Sequence, residues 1–144
     1  MYSKTTLIAR YAETDQMGVV HHSVYPVWYE AARTDWIKRL GMSYTQMEQL
    51  GIMLPLRDLQ CHYLRAAKYE DVLTVTARLQ SLSYAKCTFV YEVFVEGQPS
   101  PINLGSTTHG FVDRATFRPM NLKKAHPQVY ALLEQSMERS DESK

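Results

Sequence analysis

Asp15 and the adjacent histidines His21 and His22 are the side chains whose types and spacing could form an enzyme site. Asp15 and Gly18 stand in a short polar segment, and His22 comes just before a largely apolar run with helical spacing. The first amides of a helix lack intrahelical acceptors and favour negative charge. A carboxylate beside them suits a reaction in which an oxygen gains charge, with the carboxylate as base or nucleophile.

Each of these residues also has a structural interpretation. An aspartate in a polar loop before a helix is often a turn or capping residue. His21 and His22 could form a metal pair, but neighbours on an extended segment point to opposite sides and no third ligand lies at a recognisable spacing. We therefore predict no metal and no cofactor. Glu13 is predicted to face solvent, and His109 to be structural or exposed.

A long helix is predicted from Ser23 to about Leu40, with Ser23 as its N-cap and Gly41 as its stop. Its polar residues fall on one narrow stripe and are Pro26, Glu30, Arg33, Thr34 and Lys38. Apolar residues cover most of the remaining circumference, more than a helix packed on one side needs. We expect other elements to wrap around it.

The remaining chain predicts mainly strands. Apolar and polar residues alternate in several segments, which indicates antiparallel strands with one buried face. The predicted strands lie at 4–11, 52–65, 73–80, 89–95 and 103–113. Ser43 and Gln46 fit a capping box that opens a short helix, and Val129 to Met137 fit a C-terminal amphipathic helix. The expected fold class is α+β, with a five-stranded antiparallel sheet curled around the long helix.

Composition restricts the protein class. The chain has 144 residues, of which 45% are hydrophobic and 22% charged, values typical of a soluble globular protein. A net charge of +1 provides no broad field for nucleic acid or a membrane, so neither is predicted as a partner. We expect one domain over 1–138 and a frayed tail over 139–144. Cys61 and Cys87 are expected to be buried thiols, and without a signal peptide the predicted location is cytoplasmic.

The segment 11–25, Tyr-Ala-Glu-Thr-Asp-Gln-Met-Gly-Val-Val-His-His-Ser-Val-Tyr, resembles the hotdog-fold acyl-CoA thioesterases of the 4-hydroxybenzoyl-CoA thioesterase and YbgC type. The resemblance continues through 30–34, 63–71 and 105–113 and spans most of the chain. Many relatives carry Asn where this sequence has Val24. The resemblance implies a hotdog fold and hydrolysis of an acyl-CoA to the free acid and CoA.

The resemblance also implies roles for particular residues. Asp15 is the expected catalytic carboxylate, acting either as general base on water or as nucleophile. His22 is expected to orient substrate or to assist proton transfer, and the amides near His22 and Ser23 to polarise the carbonyl. CoA carries phosphates, so cations are expected near the pocket mouth, although each could be an ordinary solvated charge. The expected substrate-binding residues are Gly18, Ser23, Tyr25, Arg65 and Lys68.

Several alternatives stay open at this point. The acyl group could be aliphatic or aromatic, and its carrier could be CoA or acyl carrier protein. A hydratase or dehydratase of acyl thioesters is disfavoured by the Asp-x-x-Gly loop, and a non-catalytic module that binds acyl thioesters or acyl carrier protein is disfavoured by Asp15. A single small sheet leaves an unpaired edge, so we expect a homodimer or a homotetramer built from dimers.

Overall fold

The computed structural model describes residues 1–138, so the predicted tail at 139–144 lies outside the described residues. The strands are β1 (Tyr2–Ile8), β2 (Ile52–Met53), β3 (Leu56–Tyr63), β4 (Val72–Leu82), β5 (Lys86–Val95), β6 (Asn103–Gly110) and β7 (Val112–Asp113). The α-helices are α1 (Tyr25–Leu40), α2 (Tyr44–Gln49), α3 (Leu122–Ala125) and α4 (Pro127–Glu138). One turn of 3-10 helix covers Tyr11–Glu13.

One antiparallel sheet dominates the fold. It has five strands in the order β1-β4-β5-β6-β3, which confirms the predicted α+β architecture. The predicted strand at 52–65 is divided into β2 and β3, and the one at 103–113 into β6 and β7. The reason is that β2 and β7 leave the large sheet and pair with each other. Pro55 lies between β2 and β3 and has no amide hydrogen to donate to a ladder, which explains the first division.

The helix α1 lies against this sheet and contacts β1, β4 and β3. The side chains that it buries are Tyr25, Trp28, Tyr29, Ala32, Trp36 and Ile37. The solvent-facing side includes Val27, which is 59% exposed, and Glu30. The prediction that the fold wraps around this helix is therefore confirmed, with one side left open.

The start of α1 corrects the prediction for Ser23. The helix begins at Tyr25, and its N-cap is Val24, which makes no side-chain capping bond. The Ser23 hydroxyl lies instead 2.7 Å from Nδ1 of His21, because a turn joins these two residues ahead of the helix. The predicted stop is confirmed, since Gly41 has a φ of 105°, a left-handed conformation that glycine adopts without strain.

Two further local predictions have different outcomes. The capping box of α2 is confirmed, since Ser43 Oγ accepts from Gln46 N–H at 3.1 Å and Gln46 Oε1 accepts from Ser43 N–H at 2.8 Å. The first strand lies two to three residues earlier than the predicted 4–11, because the chain turns into a 3-10 helix at Tyr11. The position of this turn matters below, because it precedes Asp15.

The strand β3 forms one edge of the sheet and is largely exposed. Within residues 1–138 only β6 pairs with it. Its apolar side chains Leu56, Leu59 and Tyr63 are 54%, 40% and 50% exposed. Cys61 on the same strand is only partly buried, contrary to the prediction, whereas Cys87 is buried as predicted. An unpaired edge with apolar side chains favours pairing with another chain.

Gly105 allows the closest approach between the sheet and α1. The ring of Tyr29 stacks on Tyr91, with centroids 4.5 Å apart and planes 2° from parallel. It also lies across Gly105, where an added Cβ would collide with the Tyr29 ring. Because Tyr29 is fully buried and stacked, its ring has no free space into which it could move.

We expect Gly105→Ala to destabilise the protein by about 1–3 kcal/mol, the usual cost of overpacking a core. The measurement is the free energy of unfolding from denaturant titration. Gly110→Ala is the matched control, because its added Cβ would lie 3.1 Å from Cδ of the flexible Arg57 side chain. Equal stabilities of the two variants would contradict this account of the Tyr29 contact.

Candidate active site

A tight hairpin precedes α1 and carries Asp15. Asp15 N–H donates to the Val19 carbonyl at 2.8 Å, and His21 N–H donates to the Glu13 carbonyl at 2.8 Å. Gly18 lies in the turn with a φ of 78°, in the left-handed region that favours glycine. The contribution of Gly18 to the site is therefore the shape of this turn.

The carboxylate of Asp15 has two different surroundings. Oδ1 accepts hydrogen bonds from Met17 N–H at 2.8 Å and Val19 N–H at 3.4 Å, so it closes the turn. Oδ2 makes no hydrogen bond to any residue in the described part of the chain. Asp15 is partly exposed. It is thus a turn residue through one oxygen and is available for chemistry through the other.

Lys68 lies on the same face as Asp15. Val19 is opposite Asp15 on one side and pairs with Lys68 on its other side. Residues directly opposite each other in antiparallel pairs point to the same face, and two strand spacings separate Cα atoms by about 10 Å. The backbone pairing therefore puts the exposed Lys68, a predicted substrate-binding residue, on the same face as Asp15 and two strands away.

The amides before α1 differ in availability. Two amides are occupied: Ser23 N–H donates to His21 Nδ1 at 3.1 Å, and Val24 N–H donates to the His21 carbonyl at 3.0 Å. The His22 carbonyl is occupied as well, because it accepts from Tyr63 Oη at 2.8 Å. His22 N–H has no acceptor among residues 1–138. Because the peptide bond between His21 and His22 is trans, the His22 N–H points opposite to the His21 carbonyl. Of the two predicted donor amides, only the one of His22 is unoccupied.

The two histidine rings have different roles. The His22 ring is exposed and lies against the ring of His21, with centroids 4.0 Å apart and planes tilted by 31°. His21 Nδ1 accepts from Ser23 N–H, which places the proton of the neutral ring on Nε2. Ser23, predicted to bind substrate, is engaged with His21 through both its amide and its hydroxyl.

Glu13 corrects the prediction that it faces solvent, since its side chain is only 8% exposed. Its Oε1 accepts from Arg10 N–H at 2.8 Å, with Arg10 Nε at 3.5 Å, and its Oε2 accepts from Trp28 Nε1–H at 3.2 Å. A buried carboxylate is tolerated when both oxygens are hydrogen-bonded. Glu13 thereby fastens the hairpin to α1. Its spacing from Trp28 gave no signal in the sequence.

Tyr25, a predicted substrate-binding residue, is 2% exposed and lies in the core, and its contact with substrate stays a prediction. Its ring packs edge-on against Trp28 at 5.0 Å and Tyr63 at 5.3 Å. Burial also raises the pKa of its hydroxyl above the usual value. Tyr25 supports Tyr63, whose hydroxyl holds the His22 carbonyl and whose importance sequence reasoning missed.

Arg65 is exposed on the segment between Tyr63 and Lys68. Its Nη2 donates to the carbonyls of Ser100 at 2.8 Å and Pro101 at 3.3 Å, so it braces the turn between β5 and β6. The role of Arg65 in phosphate binding stays a prediction.

Over residues 1–138, no cluster of three or more His, Cys, Asp or Glu side chains is arranged to hold a metal. No helix in that range is long and apolar enough to span a membrane.

A chain of buried hydrogen bonds crosses the fold behind α1 and ends at His109, which is 1% exposed. Its Nδ1 lies 3.1 Å from the Leu54 carbonyl, which only accepts, so Nδ1 carries the proton. Its Nε2 then accepts from Thr107 Oγ1 at 2.9 Å, which in turn lies 2.5 Å from Tyr91 Oη. Burial, aided by the charge of Arg33, lowers the pKa of His109 to about 4. His109 is thus structural, one of its two predicted alternatives.

We expect His109 to make stability fall in mild acid. Its pKa drops from 6.5 in the unfolded chain to about 4 in the fold, so below pH 6.5 the unfolded state binds the extra proton. Its contribution is complete above pH 6.5 and is lost toward pH 4, on the order of 2–3 kcal/mol. Denaturant titrations at pH 7 and 4.5 measure this loss.

His109→Gln is expected to reduce the difference between the two pH values. His62→Gln is the matched control, because His62 is exposed and lies outside the buried chain of hydrogen bonds that ends at His109. The explanation fails if wild type and His109→Gln lose the same stability between pH 7 and 4.5.

Together, these features define a class of protein. An antiparallel sheet curled around one long helix, with a carboxylate-bearing hairpin at the start of that helix, is the architecture of the hotdog-fold thioester hydrolases. Residues 9–133 match the model of the Thioesterase-like superfamily, and the chain belongs to this family. The family predicted from the segment 11–25 is thereby confirmed.

Individual relatives agree with this assignment. The chain is 33% identical over 134 residues to a Bacillus subtilis protein provisionally named acyl-CoA thioesterase YneP, covering 93% of this chain and 96% of that protein. The structure of a DHNA-CoA thioesterase from Staphylococcus aureus superposes with a TM-score of 0.89 at 35% identity, over 95% of this chain and 91% of that one. YbgC of Escherichia coli O157:H7, an acyl-CoA thioester hydrolase, is 24% identical over 115 residues, which are 80% of this chain and 85% of that protein. The protein is a thioester hydrolase. The extent of a single domain over 1–138 stays a prediction.

Proposed function

We propose that this protein hydrolyses an acyl-CoA to the free acid and CoA, with Asp15 as the catalytic carboxylate and His22 N–H as the donor to the thioester carbonyl. One observation carries the proposal. The hairpin before α1 holds both a carboxylate oxygen and a backbone amide that have no hydrogen-bond partner within residues 1–138. These are the two groups that thioester hydrolysis requires.

Two routes are open to the Asp15 carboxylate. As general base, Oδ2 takes a proton from water while the water oxygen attacks the thioester carbon, and the proton then passes to the sulfur as the carbon–sulfur bond breaks. As nucleophile, Oδ2 attacks the carbon itself, CoA leaves, and water hydrolyses the resulting anhydride. In both routes His22 N–H stabilises the oxygen that gains negative charge.

Other residues of the hairpin support this chemistry. In this proposal the exposed His22 ring orients substrate or gives a proton to the leaving sulfur, while Ser23 holds the His21 ring. Lys68 shares the face of Asp15 and, with Arg65, supplies cations for the CoA phosphates. A module that only bound acyl thioesters, or acyl carrier protein, would gain nothing from an outward carboxylate oxygen.

Asp15→Asn is expected to lower kcat by about two to four orders of magnitude, because it removes the charge and basicity needed for proton transfer or attack. The Asn oxygen still closes the turn, so KM and the thermal midpoint should change little. Release of free thiol from a panel of acyl-CoAs measures this. His22→Ala should cost less, because the backbone amide remains.

Asp113→Asn is the matched control. Asp113 also accepts from backbone amides in a turn, those of Ala115 at 2.8 Å and Thr116 at 3.0 Å, but it lies on β7 and outside the hairpin. It should keep wild-type kcat. An Asp15→Asn variant that retains more than about a third of wild-type kcat would eliminate Asp15 as the catalytic group. Such a rate corresponds to a rise in the activation free energy of less than ~1 kcal/mol.

The proposed enzyme works as a homodimer joined through β3. The edge of β3 offers unpaired backbone groups together with exposed Leu56, Leu59 and Tyr63, and two copies pairing there would form one continuous sheet. Tyr63 holds the His22 carbonyl, so this interface would lie beside the site. A homotetramer needs a second interface, for which the outer sheet face with Val90 and Phe94 offers partly exposed apolar side chains.

Light scattering is expected to give wild type a mass of at least twice the 16.6 kDa chain mass. Leu59→Lys should shift the protein toward monomer, because it places like charges near each other across a two-fold interface. The control is Leu50→Lys, since Leu50 is 46% exposed after α2 and away from β3. A wild-type mass equal to one chain at micromolar concentration would contradict the dimer.

A further inference from the structure

The two groups of the proposed mechanism, the Asp15 carboxylate and the His22 amide, lie in a segment that one buried hydrogen bond closes. Glu13 Oε2 accepts from Trp28 Nε1–H at 3.2 Å, across 15 residues of chain. Residues 14–27 lie between these two partners and contain the hairpin and the start of α1. The bond between Glu13 and Trp28 therefore closes a loop that includes both groups.

Glu13 is joined to the hairpin through its backbone as well as its side chain. Its carbonyl accepts from His21 N–H at 2.8 Å, one residue before the open amide of His22. Its Oε1 accepts from Arg10 N–H at 2.8 Å, so both carboxylate oxygens have a donor. Glu13 thus connects the two strands of the hairpin with the first turn of α1.

Burial makes the bond between Glu13 and Trp28 difficult to replace. Glu13 is 8% exposed and Trp28 is 3% exposed. A carboxylate oxygen or an indole N–H at this depth has little access to water, so losing its partner is costly. In the described range, every buried side-chain nitrogen and oxygen has a hydrogen-bond partner. Positions of the hairpin that keep this bond are therefore strongly favoured over positions that break it.

The same bond determines where Asp15 stands relative to the His22 amide. Asp15 follows Glu13 by two residues and moves with it. His22 precedes the helix N-cap, Val24, by two residues and moves with the start of α1. Because the bond to Trp28 fixes Glu13 against α1, it also fixes the carboxylate against the amide.

Other contacts hold the far side of the hairpin. Tyr63 Oη donates to the His22 carbonyl at 2.8 Å, and Val20 N–H donates to the Ala67 carbonyl at 2.8 Å. Neither bond involves Glu13, so both remain when the Glu13 side chain loses its partner. We expect such a loss to shift the hairpin without unfolding it.

A small shift is enough to slow the reaction. The carboxylate and the amide have to reach the same thioester carbonyl, one at its carbon and one at its oxygen. Groups of this kind work within about 0.5 Å of their productive positions, and a displacement of about 1 Å can cost roughly a hundredfold in rate. Binding of the CoA part depends on cations outside the loop, so it should be less sensitive.

We propose that Glu13 is a positioning residue for catalysis, which acts through its hydrogen bond to the Trp28 indole and holds Asp15 at its working distance from the His22 amide. The inference rests on the proposed thioesterase function. Glu13 itself contacts no substrate and transfers no proton.

The first test is Trp28→Phe, which removes the indole N–H and keeps an aromatic ring. Glu13 Oε2 then lies buried without a donor, and it can regain one only by moving toward water. We expect kcat to fall by about ten- to a hundredfold, with KM within about threefold of wild type. Thiol release from the best acyl-CoA measures both constants, and circular dichroism checks that the variant is folded.

Trp36→Phe is the matched control. Trp36 lies on the same helix, is 0% exposed, and donates from its indole to the Met1 carbonyl at 3.4 Å. The two variants lose the same atoms from the core, so both should lower the thermal midpoint. Trp36→Phe should keep kcat within about twofold, because its bond does not reach the hairpin. Equal kcat values for the two variants would overturn the proposal.

The second test is Glu13→Gln, alone and combined with Trp28→Phe. The Gln side chain has one acceptor oxygen, so its amino group has to face either Arg10 N–H or the indole N–H. We expect Glu13→Gln to lower kcat while KM stays nearly constant. If both variants disrupt the same bond, the double variant should lose no more than the larger single loss. Losses that multiply would overturn the proposal.

The outcomes separate this inference from the function on which it rests. If Asp15→Asn loses activity while Trp28→Phe and Glu13→Gln keep it, the role of Glu13 alone is overturned. If neither of these two variants folds, Glu13 is a requirement of the fold instead of a positioning residue, and the proposal is also overturned. A wild-type protein that releases no thiol from any acyl-CoA would overturn the proposed function, and the inference with it.

Discussion

A single buried carboxylate, that of Glu13, ties the hairpin that carries Asp15 to α1. Glu13 accepts hydrogen bonds from Arg10 on one side and from the Trp28 indole on the other, so the segment before Asp15 is tied to the first turn of α1. The carbonyl of Glu13 also receives the His21 amide and closes the hairpin. A charge buried this deeply is costly unless all its partners are in place, so the hairpin and the helix have to form together.

The other side of the hairpin depends on the edge strand. Trp28 packs on Tyr25, Tyr25 packs on Tyr63, and the Tyr63 hydroxyl returns to the carbonyl of His22. Glu13 and β3 therefore hold the two ends of the hairpin through one continuous set of contacts. The strand with the unpaired edge is also the strand that holds the His22 carbonyl, so the proposed pairing through β3 would act directly on the geometry at His22.

Much of this architecture could be predicted from short stretches of sequence. Helix α1 follows from its apolar spacing, its end from Gly41, and α2 from the pair Ser43 and Gln46, because these features depend on nearby backbone groups alone. Alternating residues indicated antiparallel strands for the same reason. The resemblance of the segment 11–25 to hotdog-fold thioesterases pointed to the activity, and this segment could be recognised because its carboxylate, glycine turn and helix start stand next to each other along the chain.

Contacts between distant residues were decided only by the tertiary structure. The Glu13 carboxylate is held by the Trp28 indole, and the His22 carbonyl is held by the hydroxyl of Tyr63, 41 residues away. The hydrogen bonds of Arg33 likewise depend on the hydroxyls of Tyr44 on α2 and Tyr91 on β5. Sequence patterns describe burial and spacing within one element, whereas hydrogen-bond partners across elements depend on how those elements pack.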